Sequence, residues 1–336
     1  MNAINTIDVK AEFNLDKDRF GNPFPAGVKF PVLNVEESTA HAIPQKELHY
    51  FEASFVSDVF TWLQEPGPFG LMITGPTGTG KSSGIAQMAA RLNWPTTGIT
   101  ASGNFLFEDL VGSWGLVQTD PGAPPVTKFR YGPLPLAMKE GRILVINEFD
   151  YADPNELAGL NDVIRGSGLF IEATNEWIKP HPKFRVVITG NSKGYGDDTG
   201  LYRGVKTQNL AFLDRFIGVE VDYLPNDVEV KMLTDYLGLD STHESTLSTF
   251  VTCANSVRKR FLSDSAEALS ATITTPKLKL WAKESFRIQA SVRKTGTSVS
   301  PPKMALEKVL TGMIPDVDAV AIHKICESHF GGLWVD

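Results

Sequence analysis

Residues 75–82 read Gly-Pro-Thr-Gly-Thr-Gly-Lys-Ser, and this run limits the fold more than any other part of the chain. Gly75, Gly78 and Gly80 let the backbone wrap tightly, so that successive N–H groups point into one anion-sized hollow. Pro76, Thr77 and Thr79 complete the loop. Lys81 brings a cation to the β- and γ-phosphates of a nucleotide, the Ser82 hydroxyl suits Mg²⁺, and Ser83 follows in the first helical turn. A helix opening at Lys81 adds the positive end of its dipole. The apolar run LMIT (71–74) precedes the loop and KSSGIAQMAARLN follows it, which is the strand–loop–helix setting the mechanism requires. A chance glycine turn has no reason to sit in that setting. The run implies binding of a nucleoside triphosphate.

The surrounding chain alternates as such a loop demands. KELHYFEASFVSDVFTWLQ (46–64) places Tyr50, Phe51, Phe55, Val59, Phe60 and Leu63 at helical spacing, and EPGPFG ends it. TGIT (97–100), RILVIN (142–147), FRVVIT (184–189) and IGVEVDY (217–223) read as further strands. Short Val/Ile-rich runs separated by helical segments predict an α/β fold, a largely parallel sheet with helices on both faces. After Tyr223 the strand signal stops and four helical segments follow. The expected organisation is an irregular N-terminal extension over 1–45, an α/β core over 46–224 and a small all-helical domain over 225–336. SVRKTGTSVSPP (291–302) reads as a loop between two late helices.

Composition narrows the class. The chain of 336 residues is 42% hydrophobic and 21% charged, which excludes wholesale disorder and a fibrous protein. No run approaches the roughly 18 apolar residues of a membrane span, and the first 20 residues lack an apolar leader. Cys253 and Cys326 lie far apart without a CxxC partner, which suits buried or free thiols and predicts a cytoplasmic setting. A net charge of −7 argues against a chain-wide nucleic-acid coat. Arg258, Lys259 and Arg260, with Lys277, Lys279, Lys283, Arg287, Arg293 and Lys294, read as a solvated helix face, with DNA binding the minority reading.

Hydrolysis needs a positioned water. RILVINEFD sets Asn147 and Glu148 just past a buried strand, where Glu148 is the candidate to polarise water and Asn147 to hold Mg²⁺ through water. The alternative is that Glu148 and Asp150 cap the helix starting near Pro154; for Asp150, capping or a partner contact is the favoured reading. Asn191, at the end of FRVVITGN, lies where open parallel sheets bind ligands and is placed to orient the water.

Together these residues resemble the MoxR branch of the AAA+ ATPases, and within it the CobS type, the small ATPase subunit of cobalt chelatases. The resemblance runs from about Leu71 to Pro225 and rests on FEDLVGSW (107–114), KFRYGPLPLAMKEG (128–141) and the block from Pro180 to Phe216 as well as on the loop. It implies Walker A at 75–82, Walker B at Asn147 and Glu148, and sensor 1 at Asn191. It implies an arginine finger at Arg215, aimed at the ATP of a neighbouring subunit, with pairing to Asp214 as the structural alternative. It also implies a sensor 2 cation at Lys277, with Lys279 as second choice. Asn147 stands where the family has Asp. The family further implies a hexameric homo-oligomeric ring using ATP and Mg²⁺ on a protein partner, often one with a von Willebrand factor A domain. Residues 103–130 and 168–181 occupy the places of the family's insertion and hairpin, the latter with Leu169 and Ile171 facing Trp177 and Ile178. His181 and Trp114 read as packing residues. Two other functions stay open at this point: a nucleic-acid-directed motor and a nucleotide-gated scaffold with slow hydrolysis.

Overall fold

The computed structural model describes all residues except 1–4, 14, 16–23, 25–26, 119–123, 198–199, 264–267, 296–298 and 335–336, and the side chains of 293–295; Arg293 and Lys294 of the basic run therefore lie outside the described side chains. The chain forms two compact units, one of Met1–Pro76 and Gly80–Val221, the other of Thr77–Thr79 and Asp222–Asp336. At the heart of the first is a parallel sheet of β1 (Gly70–Thr74), β2 (Thr96–Thr100), β3 (Ile143–Asn147), β4 (Arg185–Gly190) and β5 (Phe216–Glu220), in the order β5-β1-β4-β3-β2.

Strand side chains alternate between faces, and both faces are covered. Ile143 and Val145 of β3 enter one apolar cluster, Leu144 and Ile146 the other. The first cluster takes Val56, Val59 and Leu63 from α1 (Ala53–Gln64) and Ile85 and Met88 from α2 (Lys81–Arg91). The second takes Leu134, Ala137 and Met138 from α3 (Pro133–Glu140). Pro133 opens α3 where its missing N–H costs nothing, and Gly141, at φ 69°, closes it. Each Ile or Leu buried here contributes about 1.5–3 kcal/mol.

The helix expected over 46–64 begins at Ala53. Phe51 lies outside it but is buried, edge-on to Phe13 and 5.1 Å below the Arg91 guanidinium. Val9, Phe13 and Phe30 join the same cluster, and Thr6–Asp8 pairs with Lys29–Pro31. The described part of 1–45 is thus core as well as connection.

Two antiparallel hairpins branch from the first unit, Gly112–Val117 with Val126–Tyr131 and Leu169–Ile171 with Glu176–Ile178. In the second, Leu169 faces Ile178 as expected, but Trp177 faces Phe170 and Ile171 faces Glu176. The register differs because Glu172–Thr174 coil into a helical turn and Asn175 adopts φ 52°, giving a four-residue connection (172–175). Trp114 and Trp177 are 56% and 63% exposed, and the Trp114 ring meets Phe129 edge-on at 5.7 Å across its hairpin.

The second unit holds α4 (Asn226–Leu237), α5 (Glu244–Phe261), α6 (Thr275–Thr295), α7 (Pro301–Val309) and α8 (Asp316–Phe330). The loop expected over 291–302 is shorter, since α6 runs to Thr295 and α7 starts at Pro301. Phe250, Trp281 and Phe330 pack edge-to-face. The Cys253 and Cys326 sulfurs meet at 2.7 Å, both buried, and burial pushes the Cys326 thiol up. Arg258 departs from the solvated face expected of it. Its guanidinium is buried, grips both carboxylate oxygens of Glu229 at 2.6 and 3.0 Å, donates to the Ile273 carbonyl and lies 3.9 Å over the Tyr223 ring. A buried guanidinium needs such a partner.

Candidate functional site

The loop between β1 and α2 has the shape its glycines permit. Gly75, Gly78 and Gly80 have φ of 147°, 74° and 93°, and a Cβ on Gly75 would lie 1.9 Å from the Val221 carbonyl oxygen. Only glycine fits there. Gly80, in the left-handed region, sets the start of α2, and Ser83 Oγ donates back to its carbonyl at 3.0 Å.

Lys81 is buried. Its ammonium donates to the Gly75 and Pro76 carbonyls at 2.8 and 2.9 Å and to Asn191 Oδ1 at 2.9 Å. Burial lowers its pKa, and the charges of Glu148 and Asp150 oppose that. The sequence opens a helix at Lys81, and the fold also encloses its side chain.

Strand ends supply the rest. Asn147 ends β3 and stands in register with Thr189 of β4. Asn147 Oδ1 accepts from Ser82 Oγ at 2.5 Å and from Thr189 Oγ1 at 3.1 Å. Thr189 went unnoticed in the sequence, where it reads as one more strand residue; the register across from Asn147 is what brings it in.

Glu148 follows β3 at φ 54° and ψ 41°, a left-handed conformation costing a non-glycine residue about 1–3 kcal/mol and found mostly at functional sites. Its Oε2 accepts from Asn191 Nδ2 at 2.9 Å. Burial and the neighbouring Asp150 raise its pKa, against the pull of Lys81 and Asn191. One amide, that of Asn191, therefore joins the cation and the candidate base.

Asp150 is not the helix cap considered for it. Asp153 caps the helix at Pro154, its side chain accepting from Asn155 N–H. Asp150 is fully buried, and its Oδ2 accepts the N–H groups of Asn191 and Ser192, each at 2.9 Å.

Two residues expected at the site have other hydrogen-bond partners. Arg215 Nη1 sits 3.2 Å from Asp214 Oδ2, and its Nε is buried without a hydrogen-bond partner. Lys277 Nζ donates to the Val309 carbonyl at 2.6 Å within the second unit; there Lys279 lies 5.5 Å from the Tyr236 ring, its pKa lowered by burial.

The residues fit a nucleotide and its metal on their own chemistry. The loop is a cradle that side chains would fill, with a buried ammonium at its base. Ser82 and Asn147 offer two neutral oxygens beside each other, suited to Mg²⁺ held largely through water. Among the described residues no group of three or more His, Cys, Asp or Glu could hold a metal by itself.

A parallel sheet ordered β5-β1-β4-β3-β2, with a phosphate loop after β1 and polar residues at or next to the ends of β3 and β4, is the AAA+ P-loop fold, a nucleotide-binding one. Residues 70–216 match the family of AAA domains of the dynein-related subfamily. The aerobic cobaltochelatase subunit CobS of Sinorhizobium sp is 39% identical over 165 residues, 48% of this chain and 49% of the relative. An uncharacterized protein of Staphylococcus epidermidis is 33% identical over 159 residues, 47% of this chain and 57% of the relative. The gas vesicle ATPase GvpN1 of Halobacterium salinarum is 26% identical over 248 residues, 67% and 68% of the two chains. The chain spans about half the length of the first of these relatives. No helix among the described residues is long and apolar enough to cross a membrane.

Proposed function

We propose that this protein hydrolyses ATP with Mg²⁺ and uses the cycle, as a homo-oligomeric ring of six subunits, to remodel or activate a protein partner complex. The observation that carries the hydrolytic part is the Asn191 amide bonded to both Lys81 and Glu148. When bound, ATP and Mg²⁺ supply the phosphoryl group and much of the charge neutralisation. The chain's own residues do the rest. Lys81 exchanges the Gly75 and Pro76 carbonyls for phosphate oxygens. Glu148, its carboxylate held in place by Asn191, polarises the attacking water. Arg215 leaves Asp214 to reach the γ-phosphate of a neighbouring subunit, where a planar, permanently charged donor is most useful. Lys277 is the proposed sensor 2 contact, and Ser82 and Asn147 hold the metal.

The partner reading, including a von Willebrand factor A domain protein and metal insertion, draws on the likeness to CobS and stays within this proposal. A nucleic-acid motor is the weaker reading, because Arg258 is buried in an ion pair and the net charge is −7. The neutral Asn147 favours the second alternative, a scaffold in which nucleotide drives assembly and hydrolysis is slow. ATPase assays with the protein alone, with duplex DNA and with candidate partners separate the three. Turnover raised by a protein partner supports the remodelling reading. Turnover raised only by DNA supports the motor, and none under any condition leaves the scaffold.

A further inference from the structure

β4 ends at Gly190, and the next two backbone N–H groups have left the sheet ladder. Both are taken by one atom, Oδ2 of Asp150, at 2.9 Å each. The close approach needs Gly190: a Cβ there would lie 2.6 Å from the Phe149 ring and 3.0 Å from Asp150 Cγ. The Asp150 carbonyl accepts from Lys206 N–H at 2.7 Å, and two residues on the Ala152 carbonyl accepts from Gln208 Nε2 at 3.1 Å. The turn after Glu148 is thus tied to the Asn191 loop and to the segment leading towards Arg215. Asp150 is 0% exposed, and its Oδ1 has no hydrogen-bond partner. A half-used buried carboxylate is an expensive anchor if all it secures is a loop.

We propose that Asp150 is a positioning residue for hydrolysis, fixing the Asn191 backbone so that the side-chain amide presents its oxygen to Lys81 and its nitrogen to Glu148. The amide is asymmetric, so its usefulness depends on how the backbone beneath it is turned. Charge-assisted bonds to two successive N–H groups fix that rotation more firmly than neutral ones. Asp150 acts through Asn191, and this role rests on the hydrolytic reading above.

The test is steady-state ATPase kinetics of Asp150→Ser, Asp150→Asn, Asn191→Ala and the double variants, with affinity for a fluorescent ATP analogue measured in parallel. Displacements of about 1 Å in catalytic geometry cost up to about 10²-fold. Asp150→Ser should therefore lose roughly 30- to 100-fold in kcat while KM and analogue affinity stay within about twofold. Asp150→Asn, whose amide oxygen can still accept both N–H groups, should recover roughly a third or more of the wild-type rate. Asp150→Ser/Asn191→Ala should be no slower than Asn191→Ala alone. If Asp150→Ser does not fold, Asp150→Ala and its double variant with Asn191→Ala carry the same comparison. An unchanged kcat in folded Asp150→Ser or Asp150→Ala, a loss confined to KM, or losses that multiply in the double variant with Asn191→Ala overturn the proposal and leave the hydrolytic reading standing. No turnover by the wild type under any condition overturns both.

Discussion

Asn191 donates its side-chain Nδ2–H to Oε2 of Glu148 at 2.9 Å, across two loops 43 residues apart in the chain. The bond holds the carboxylate of a residue already committed to a left-handed backbone, and the other side of the same amide accepts from Lys81. As the proposed base, Glu148 would then have its carboxylate positioned before a water arrives.

Glu148→Gln keeps that hydrogen-bonded shape and removes the basicity. Turnover should fall about 10²- to 10⁴-fold while ATP affinity is retained or rises. Single-turnover hydrolysis beside equilibrium binding decides it; a variant that turns over like the wild type would remove Glu148 from the mechanism.

Lys81→Met should weaken ATP binding by about tenfold or more, since several charge-assisted phosphate contacts disappear together. The same variant should not lower the unfolding midpoint of the nucleotide-free protein. Burial already disfavours the Lys81 charge, and a thioether of similar length avoids that cost. Calorimetric titration and urea denaturation on one preparation check both halves.

Asn147→Asp keeps the oxygen that receives Ser82 and Thr189 and adds a charge beside the proposed metal position. The Mg²⁺ concentration for half-maximal activity should drop roughly threefold to tenfold, charged acceptors binding about twice as strongly as neutral ones. A Mg²⁺ titration of turnover reads this directly. An unchanged midpoint would mean that residue 147 does not face the metal.

Arg215→Ala should bind ATP nearly as the wild type does and lose about 10³-fold or more in turnover, the usual magnitude for a transferred arginine. Mixed with Glu148→Gln subunits it should regain part of the activity, because some interfaces then pair an intact Arg215 with an intact Glu148. Specific activity should also rise with protein concentration. Activity independent of concentration, with Arg215→Ala fully active, would favour the Asp214 pairing as its whole role.

The second unit carries a pH dependence. His323 meets Thr311 Oγ1 at 3.1 Å through Nε2, its Nδ1 is buried without a partner, and burial lowers its pKa from 6.5. The unfolded chain therefore takes up a proton before the folded one does. Stability from this residue is intact above pH 6.5 and is lost as pH falls from there towards the lowered value. His323→Gln should flatten the fall of the urea midpoint between pH 7.5 and about 5 relative to the wild type. Parallel curves for the two proteins would remove His323 as the cause.

What could be read from the chain alone was local. The phosphate loop is eight consecutive residues, three of them glycines at φ angles that demand glycine, and strand runs such as ILVI announce themselves by unbroken apolarity. Glu148 and Asn191 were readable because each follows a strand end. Thr189 and Asp150 were not. Their partners lie 42 and 41 residues away, and only the β3–β4 register brings them together. Arg258 misled for the same reason. Beside Lys259 and Arg260 it looks like a surface cation, and its partner Glu229 is 29 residues off on another helix.

By itself the sequence determined that this chain builds a parallel sheet around a phosphate loop and ends in helices, because backbone conformation and apolar periodicity act over a few residues at a time. Only the tertiary structure decided which polar groups share the site. Hydrogen bonds of 2.5–3.1 Å join Ser82 and Thr189 to Asn147, and Lys81 and Glu148 to Asn191, and distances that short depend on how strands align and how far each loop turns. That alignment is set by the packing of two apolar faces, a property of the whole sheet that no single stretch of residues contains.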